Sequence, residues 1–388
     1  MKILVPARIL EALCLCVLLI ILTAGLWPFH SPRNDVSWLS AGNGLFLGKH
    51  GSLVSASAFS ATKGIQGGDS CSLEIWLKPN GTDARGVGMV VAFYSPASQL
   101  TTFALRQYRG GLVVEHENPE SSPRETQIYV GEVFGGERPV LVTITSSGTG
   151  TEIYVDGGLK TTVPSFIFSA RDFAGKIIVG NAPSTSYSWS GQVKGFAIYD
   201  RKLSAGEVSR SSADWMRDGR FGGEKSESIV ARYVFDEGKG RVVRNQVDSA
   251  TNLLIPERFF VLDQQFLERP WDEFRPTPSY LKDVLINIVG FVPLGFIFYA
   301  YFAKIRKIKP ATWLTVALGF ATSLTIEVLQ AFLPTRDSGM TDLITNTLGT
   351  ALGVILFTGC LKLRWFDIAG VSSVSGLEKH REDVCLVP

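Results

Sequence analysis

DVLINIVGFVPLGFIFYAYFA (283–303), ATWLTVALGFATSLTIEVLQAFLP (311–334) and TDLITNTLGTALGVILFTGCL (341–361) follow one another with only short loops between them. Each run is about 20 residues long, enough to cross a hydrocarbon core of roughly 30 Å as a helix. Each also holds groups that lipid does not tolerate alone: Asn287 in the first, Glu327 and Gln330 in the second, Asp342 and Asn346 in the third. A polar side chain at such depth must find a partner, and it marks a functional interior by default. A fourth apolar run lies at the other end of the chain, from Ile9 to Phe29, interrupted only by Glu11. The predicted spans are therefore 9–29, 283–303, 311–333 and 342–361. The first is longer than a signal-peptide core and lacks a small-residue cleavage site, so it reads as an uncleaved anchor.

Basic residues fix the expected orientation. Lys2 and Arg8 precede the first span, Lys304, Arg306, Lys307 and Lys309 follow the second, and Lys362 and Arg364 follow the fourth. All three groups belong on the cytoplasmic side of a plasma membrane. The N-terminus (1–8) and the tail (362–388) are then cytoplasmic, and residues 30–282 are extracytoplasmic. Within PWDEF (270–274) and the run to Tyr280, Trp271 and Tyr280 suit an interfacial approach, so 257–282 is expected to be a linker at headgroup level.

Between the anchor and that linker the pattern changes. SLEIWLKP (72–79), GMVVAFYS (88–95), FALRQY (103–108), GLVVEHE (111–117), VLVTITSS (140–147) and TEIYVDG (151–157) alternate with period two between Gly, Ser, Pro and Asn. So do GKIIVG (175–180), GQVKGFAIYD (191–200) and IVARYVFDEG (229–238). Many short strands at this spacing predict an antiparallel sandwich over about 34–256. Asp156-Gly157-Gly158 suits a tight turn. Its carboxylate could also ligate calcium, but the turn alone explains the residue, and no cofactor motif accompanies it.

The composition excludes several classes. A net charge of +2 over 388 residues gives no support for nucleic-acid binding, and the 45% of hydrophobic residues is a high share whose excess is concentrated in the four spans. Of the five cysteines only Cys71 falls in the middle domain, so no internal disulfide and no metal-ligand spacing arises there; it reads as a small buried hydrophobe at a strand start. His50 and His116 have no metal-spaced partners.

SLEIWLKP, TEIYVDG, IIVGNAP and above all WSGQVKGFAIYDRKLSAGEV (189–208) resemble the laminin-G-like, concanavalin A-like jelly rolls. That superfamily includes glycan binders, calcium-dependent adhesion modules and glucanases. The E-x-D-x-x-E pattern of its retaining glucanases is missing; Asp236 and Glu237 are adjacent and would face opposite ways on a strand. Trp38, Trp76, Trp189 and Trp215 are candidates for stacking on sugar rings. Trp76 sits in an apolar strand and reads as core, while Trp189, in the Ser/Tyr-rich STSYSWSG, is the expected exposed glycan contact.

DVLINIVGFVPLG (283–295), SLTIEVLQAFLPTRDSGMTDLITNTLG (323–349), TALG (350–353) and LWPF (26–29) resemble the VanZ-like membrane family. The resemblance covers 9–29 plus 266–361 and makes the sandwich an insertion between the first two helices. It also implies tolerance to glycopeptide antibiotics of the teicoplanin type. The expected architecture is a concanavalin A-like jelly-roll sandwich plus a four-helix transmembrane domain.

Helical spacing gathers the polar groups. Asp283 and Asn287 are four apart; Gly319, Ser323, Glu327 and Gln330 form one stripe, and Asp342, Asn346, Gly349 and Gly353 another. At 1.5 Å per residue the polar positions lie roughly 6–9 Å inside the outer ends. Gly349-x-x-x-Gly353 permits a close helix contact, and Pro293 with Gly295 is expected to kink or thin the second helix. The predicted cluster is Asp283, Asn287, Glu327, Gln330, Arg336, Asp337, Asp342 and Asn346. It either receives the polar end of a ligand or hydrogen-bonds the helices together. The expected role is non-enzymatic: binding of an envelope carbohydrate or lipid-linked saccharide, with membrane lipids as the other partner. An enzyme acting on a lipid-linked precursor, with Glu327 or Asp342 as general base, and an envelope assembly protein stay open beside it.

Overall fold

The computed structural model describes residues 3–4, 6–62, 69–80, 87–116, 127–136, 138–184, 187–218, 228–274, 276–362 and 366–367. Lys2, Arg364 and nearly all of the expected cytoplasmic tail lie outside the described residues. The chain divides into two compact units, one of residues 30–264 with 333–336, the other of 1–29, 265–332 and 337–388.

The first unit is a sandwich. Its strands are β1 (Val36–Trp38), β2 (Leu45–Leu47), β3 (Leu53–Ser55), β4 (Phe59–Ser60), β5 (Cys71–Pro79), β6 (Val87–Ser95), β7 (Leu100–Tyr108), β8 (Gly111–His116), β9 (Gln127–Val130), β10 (Val140–Ser147), β11 (Gly150–Val155), β12 (Gly158–Val163), β13 (Ala174–Val179) and β14 (Gly191–Tyr199). After helix α2 (Ala205–Asp218) come β15 (Ile229–Tyr233), β16 (Val242–Val243) and β17 (Leu253–Leu254). Among the described residues one sheet has the order β9-β8-β7-β6-β13-β3-β17-β16, with β4 also on β13. The other has the order β12-β11-β10-β5-β14-β2-β1, with β15 also on β14. Every pairing within them is antiparallel.

The alternation of each strand delivers one face to a shared core, where Leu73, Ile75, Phe93, Phe103, Val142, Ile144 and Phe196 are buried. Burial runs unbroken along most of β6 and β10, and β5 also departs from alternation because both its faces are covered. Its outward Trp76 lies under α2, edge-on to Trp215 at 5.0 Å between ring centroids. The Asp156-Gly157 turn has φ of 51° and 82°, the left-handed pair that a two-residue hairpin requires. Cys71 is fully buried at the start of β5.

The two ends of this unit lie side by side. Arg33 and Arg258 form an antiparallel bridge, and the Asn34 N–H donates to the Glu257 carbonyl at 3.1 Å. Asn34 Nδ2 donates to the carbonyls of Ser52 (2.8 Å) and Pro256 (3.0 Å), and its Oδ1 accepts the Ser52 N–H at 2.8 Å.

The second unit holds α1 (Ala7–Leu26), a short α3 (Pro270–Glu273), α4 (Pro278–Ala300), α5 (Ala311–Gln330) and α6 (Met340–Lys362). Four of these are long and apolar enough to cross a membrane. Leu19, Ile20, Leu285, Val289 and Ile355 are exposed on their outer faces. Apolar outside and polar inside is the arrangement lipid favours, and the chain is a membrane protein. Glycine sets the closest approach: a Cβ on Gly349 would strike the carbonyl of Ile288, and one on Gly353 that of Val292. α4 remains a single helix through Pro293, and the departure from α geometry comes later, in a π turn over Tyr301–Ile305.

Candidate functional site

The first N–H groups of any helix lack partners within it. At the start of α6 they are satisfied from three directions. Gly339 N–H donates to Glu327 Oε2 at 2.8 Å, Met340 N–H to the Glu268 carbonyl at 2.9 Å, and Thr341 N–H to Glu273 Oε2 at 3.2 Å. The Ser338 hydroxyl also bonds Glu327 and accepts the Leu267 N–H at 3.3 Å. Glu327 is 1% exposed. A carboxylate suits this position because the helix N-terminus carries partial positive charge. Burial, with Asp342 and Asp337 nearby, pushes the Glu273 carboxyl above the ordinary carboxylate range.

Asn287 Nδ2 donates to Asp342 Oδ1 at 2.7 Å, joining α4 to α6. Asn346 Nδ2 donates to Ser323 Oγ at 3.0 Å, joining α6 to α5. Gln330 Nε2 donates to the Gly25 carbonyl at 2.8 Å, joining α5 to α1. Asn346 Oδ1 and Gln330 Oε1 are buried without a hydrogen-bond partner among the described residues.

Five of the eight predicted positions, Asn287, Glu327, Gln330, Asp342 and Asn346, thus bond between elements of the helical unit. Asp283 is exposed one turn from Asn287, and Asp337 is exposed in the loop. Arg336 belongs to the sandwich unit, where its carbonyl accepts from Gln264 Nε2 at 2.8 Å. Glu268, Glu273, Ser338 and Gly339 were not expected; three of them act through main-chain atoms or from a four-residue helix, which leaves no periodic signal. Among the described residues no group of three or more His, Cys, Asp or Glu side chains is placed to hold a metal ion.

In the sandwich, Trp189 corrects the expectation of an exposed glycan contact. It is 2% exposed, and its indole N–H donates to Gln107 Oε1 at 2.7 Å. Gly88 and Gly191 pack their backbones against it, and it belongs to the sandwich core. Trp215 is also buried, whereas Trp38 is half-buried. Both carboxylate oxygens of Asp156 are engaged, one accepting the Leu141 N–H at 3.0 Å and the other facing Arg138 at 2.6 Å. Glu237 accepts the Arg244 N–H at 2.6 Å. Glu74, which drew no reading from the sequence, is fully buried under α2 and accepts from Tyr199 (2.8 Å), Ser211 (3.0 Å) and Thr143 (3.3 Å).

A family model described as VanZ/LLP1 matches residues 230–363. One described as the concanavalin A-like lectin/glucanases superfamily matches residues 52–209. The first match begins inside the sandwich, at β15, and does not include α1. No curated protein matches the chain. Among solved structures, the chain is similar to a Bacteroides ovatus protein to which carbohydrate binding is ascribed, at 13% identity and a TM-score of 0.40, covering 55% of this chain and 57% of that one. It is similar also to the receptor binding domain of botulinum neurotoxin C/D mosaic serotype, at 13% identity and a TM-score of 0.36, covering 48% of this chain and 46% of that one. A heptameric SAP-like pentraxin from Limulus polyphemus follows at 14% identity and a TM-score of 0.33, covering 59% of this chain and 94% of that one. The chain thus spans about half the length of the first two of these structures.

Proposed function

We propose that this chain, which joins a concanavalin A-like domain to a VanZ/LLP1 region, binds a saccharide of the cell envelope, either a polymer or a lipid-linked precursor. The observation that carries the reading is the join itself: a lectin-type sandwich on the same chain as four membrane-length helices. The sandwich captures the saccharide, and the helices keep it at the plasma membrane, with residues 30–282 outside and both termini inside. Tolerance to glycopeptide antibiotics is the phenotype such binding would produce.

The geometry of Glu327 favours this reading over a membrane enzyme. A general base must come within hydrogen-bond reach of the proton it takes. Glu327 is buried and one of its oxygens already holds the Gly339 N–H, which supports a role in joining helices. The test is titration of the full-length protein, purified in detergent, with envelope polysaccharides, peptidoglycan fragments and a lipid-linked saccharide. Saturable binding supports the proposal, and failure to bind any of them sinks it.

A further inference from the structure

We infer that the sandwich holds an acidic saccharide unit, a pyranose bearing a carboxylate or phosphate, in the cavity beside Trp38. This rests on the saccharide reading above and specifies its site and ligand class. The cavity measures about 400 Å³ and is lined by Arg33, Asn34, Trp38, Gly240, Arg241 and Glu257, among others. That volume falls within the roughly 300–1,000 Å³ of small-molecule sites.

Trp38 is pre-set for stacking. Its indole N–H donates to the Gly240 carbonyl at 2.9 Å, and part of the ring packs on the sandwich core. The ring is therefore held in place before a ligand arrives, and little freedom remains to be lost on binding. A flat apolar surface of this kind matches the C–H face of a pyranose.

The charges around it do not balance. Arg33 has no acidic partner among the described residues. Arg241 faces Glu257 at 3.6 Å, with both side chains more than half exposed, a loose pair of little energetic worth. Two guanidinium groups thus meet one carboxylate. A guanidinium binds carboxylate or phosphate through two parallel N–H bonds, and the exposed Glu257 carboxylate, held only loosely by Arg241, can accept sugar hydroxyls. Asn34 is the scaffold: both ends of its amide are spent on Ser52 and Pro256, which fixes the wall that carries Glu257. A neutral sugar would use the ring and leave the cations without work.

The test is calorimetric titration of the full-length protein in detergent with digalacturonic acid and glucose 1-phosphate, which separate the carboxylate and phosphate arms. Galactobiose, methyl glucoside and inorganic phosphate serve as counterparts. Binding of at least one acidic sugar is expected, weakening as salt is raised. The neutral counterparts and inorganic phosphate should bind at least about tenfold more weakly. Arg33→Gln and Arg241→Gln, both on the surface, should each cost about tenfold. Trp38→Phe should weaken binding with the fold kept, should Trp38→Ala fail to fold. Acidic-sugar binding untouched by these substitutions overturns the site and leaves the sandwich a saccharide binder elsewhere. Equal binding of neutral sugars, or of phosphate alone, overturns the ligand class. Failure of every saccharide, polymers and lipid-linked species included, overturns both proposals.

Discussion

The Glu327 carboxylate at the end of α5 accepts the main-chain N–H of Gly339 at 2.8 Å, closing the turn into α6. The bond needs an oxygen acceptor, not a negative charge. Glu327→Gln should therefore keep the detergent-solubilised protein folded, with a melting temperature near wild type. Glu327→Ala strands a buried N–H and should cost about 1–3 kcal/mol. A variant pair of equal stability would remove the capping role and return Glu327 to the candidates for chemistry.

Gly349 and Gly353 let α6 lie directly against the backbone of α4. A single methyl at either position meets a carbonyl, which cannot move aside without shifting a helix. Gly349→Ala and Gly353→Ala should each lower thermal stability in detergent by about 1–3 kcal/mol. Gly290→Ala, where a Cβ meets open space, should leave it unchanged. Loss of stability in Gly290→Ala alone would mean that the helix contact is drawn on the wrong face.

Trp189 and Trp38 separate packing from binding. Trp189 is buried, so Trp189→Ala should destabilise the sandwich by about 3–5 kcal/mol. Trp189→Phe, losing chiefly the bond to Gln107, should bind saccharide as wild type does. Urea unfolding followed beside ligand titration distinguishes the two tryptophans, and a binding defect in Trp189→Phe with unchanged stability would contradict the assignment.

Glu74 sets a pH dependence for the sandwich. Burial raises its carboxyl pKa above the ordinary 4.5, against the pull of hydrogen bonds from Tyr199, Ser211 and Thr143. A raised folded value means the native state binds the proton more tightly than the unfolded chain does. Its contribution is then fully present below the ordinary value and is lost as pH rises toward the folded one. As pH rises above the ordinary carboxylate range, wild type should lose more stability than Glu74→Gln, measured by hydrogen exchange of β5 and β10. Parallel profiles for the two proteins would show that Glu74 stays ionised.

The helices and strands could be read because each has a periodic signal of its own. Apolar runs of membrane length stand out whatever they pack against, and strict alternation marks strands with one wet face. Asn287, Gln330 and Asn346 were legible for the same reason, as amides spaced along helical stripes. Trp189 was misjudged because loop composition reports on neighbours in sequence, whereas its burial depends on the backbones of Gly88 and Gly191. Glu74 alternates like a solvent-facing residue, and only the placement of α2 over that face encloses it. Glu268 meets the start of α6 through its main-chain carbonyl, and Glu273 and Ser338 reach it from a four-residue helix and a loop, none of which leaves a periodic signal.

The clasp made by Asn34 has a mechanical consequence. Because the segments by which the chain enters and leaves the sandwich are bonded to each other, a pull on one of them does not peel the domain open from that end alone. The load reaches both covalent links together and is borne by the bonds from Asn34 to Ser52, Pro256 and Glu257 in parallel. A pull on either link must therefore break that doubled tether before it can open the sandwich.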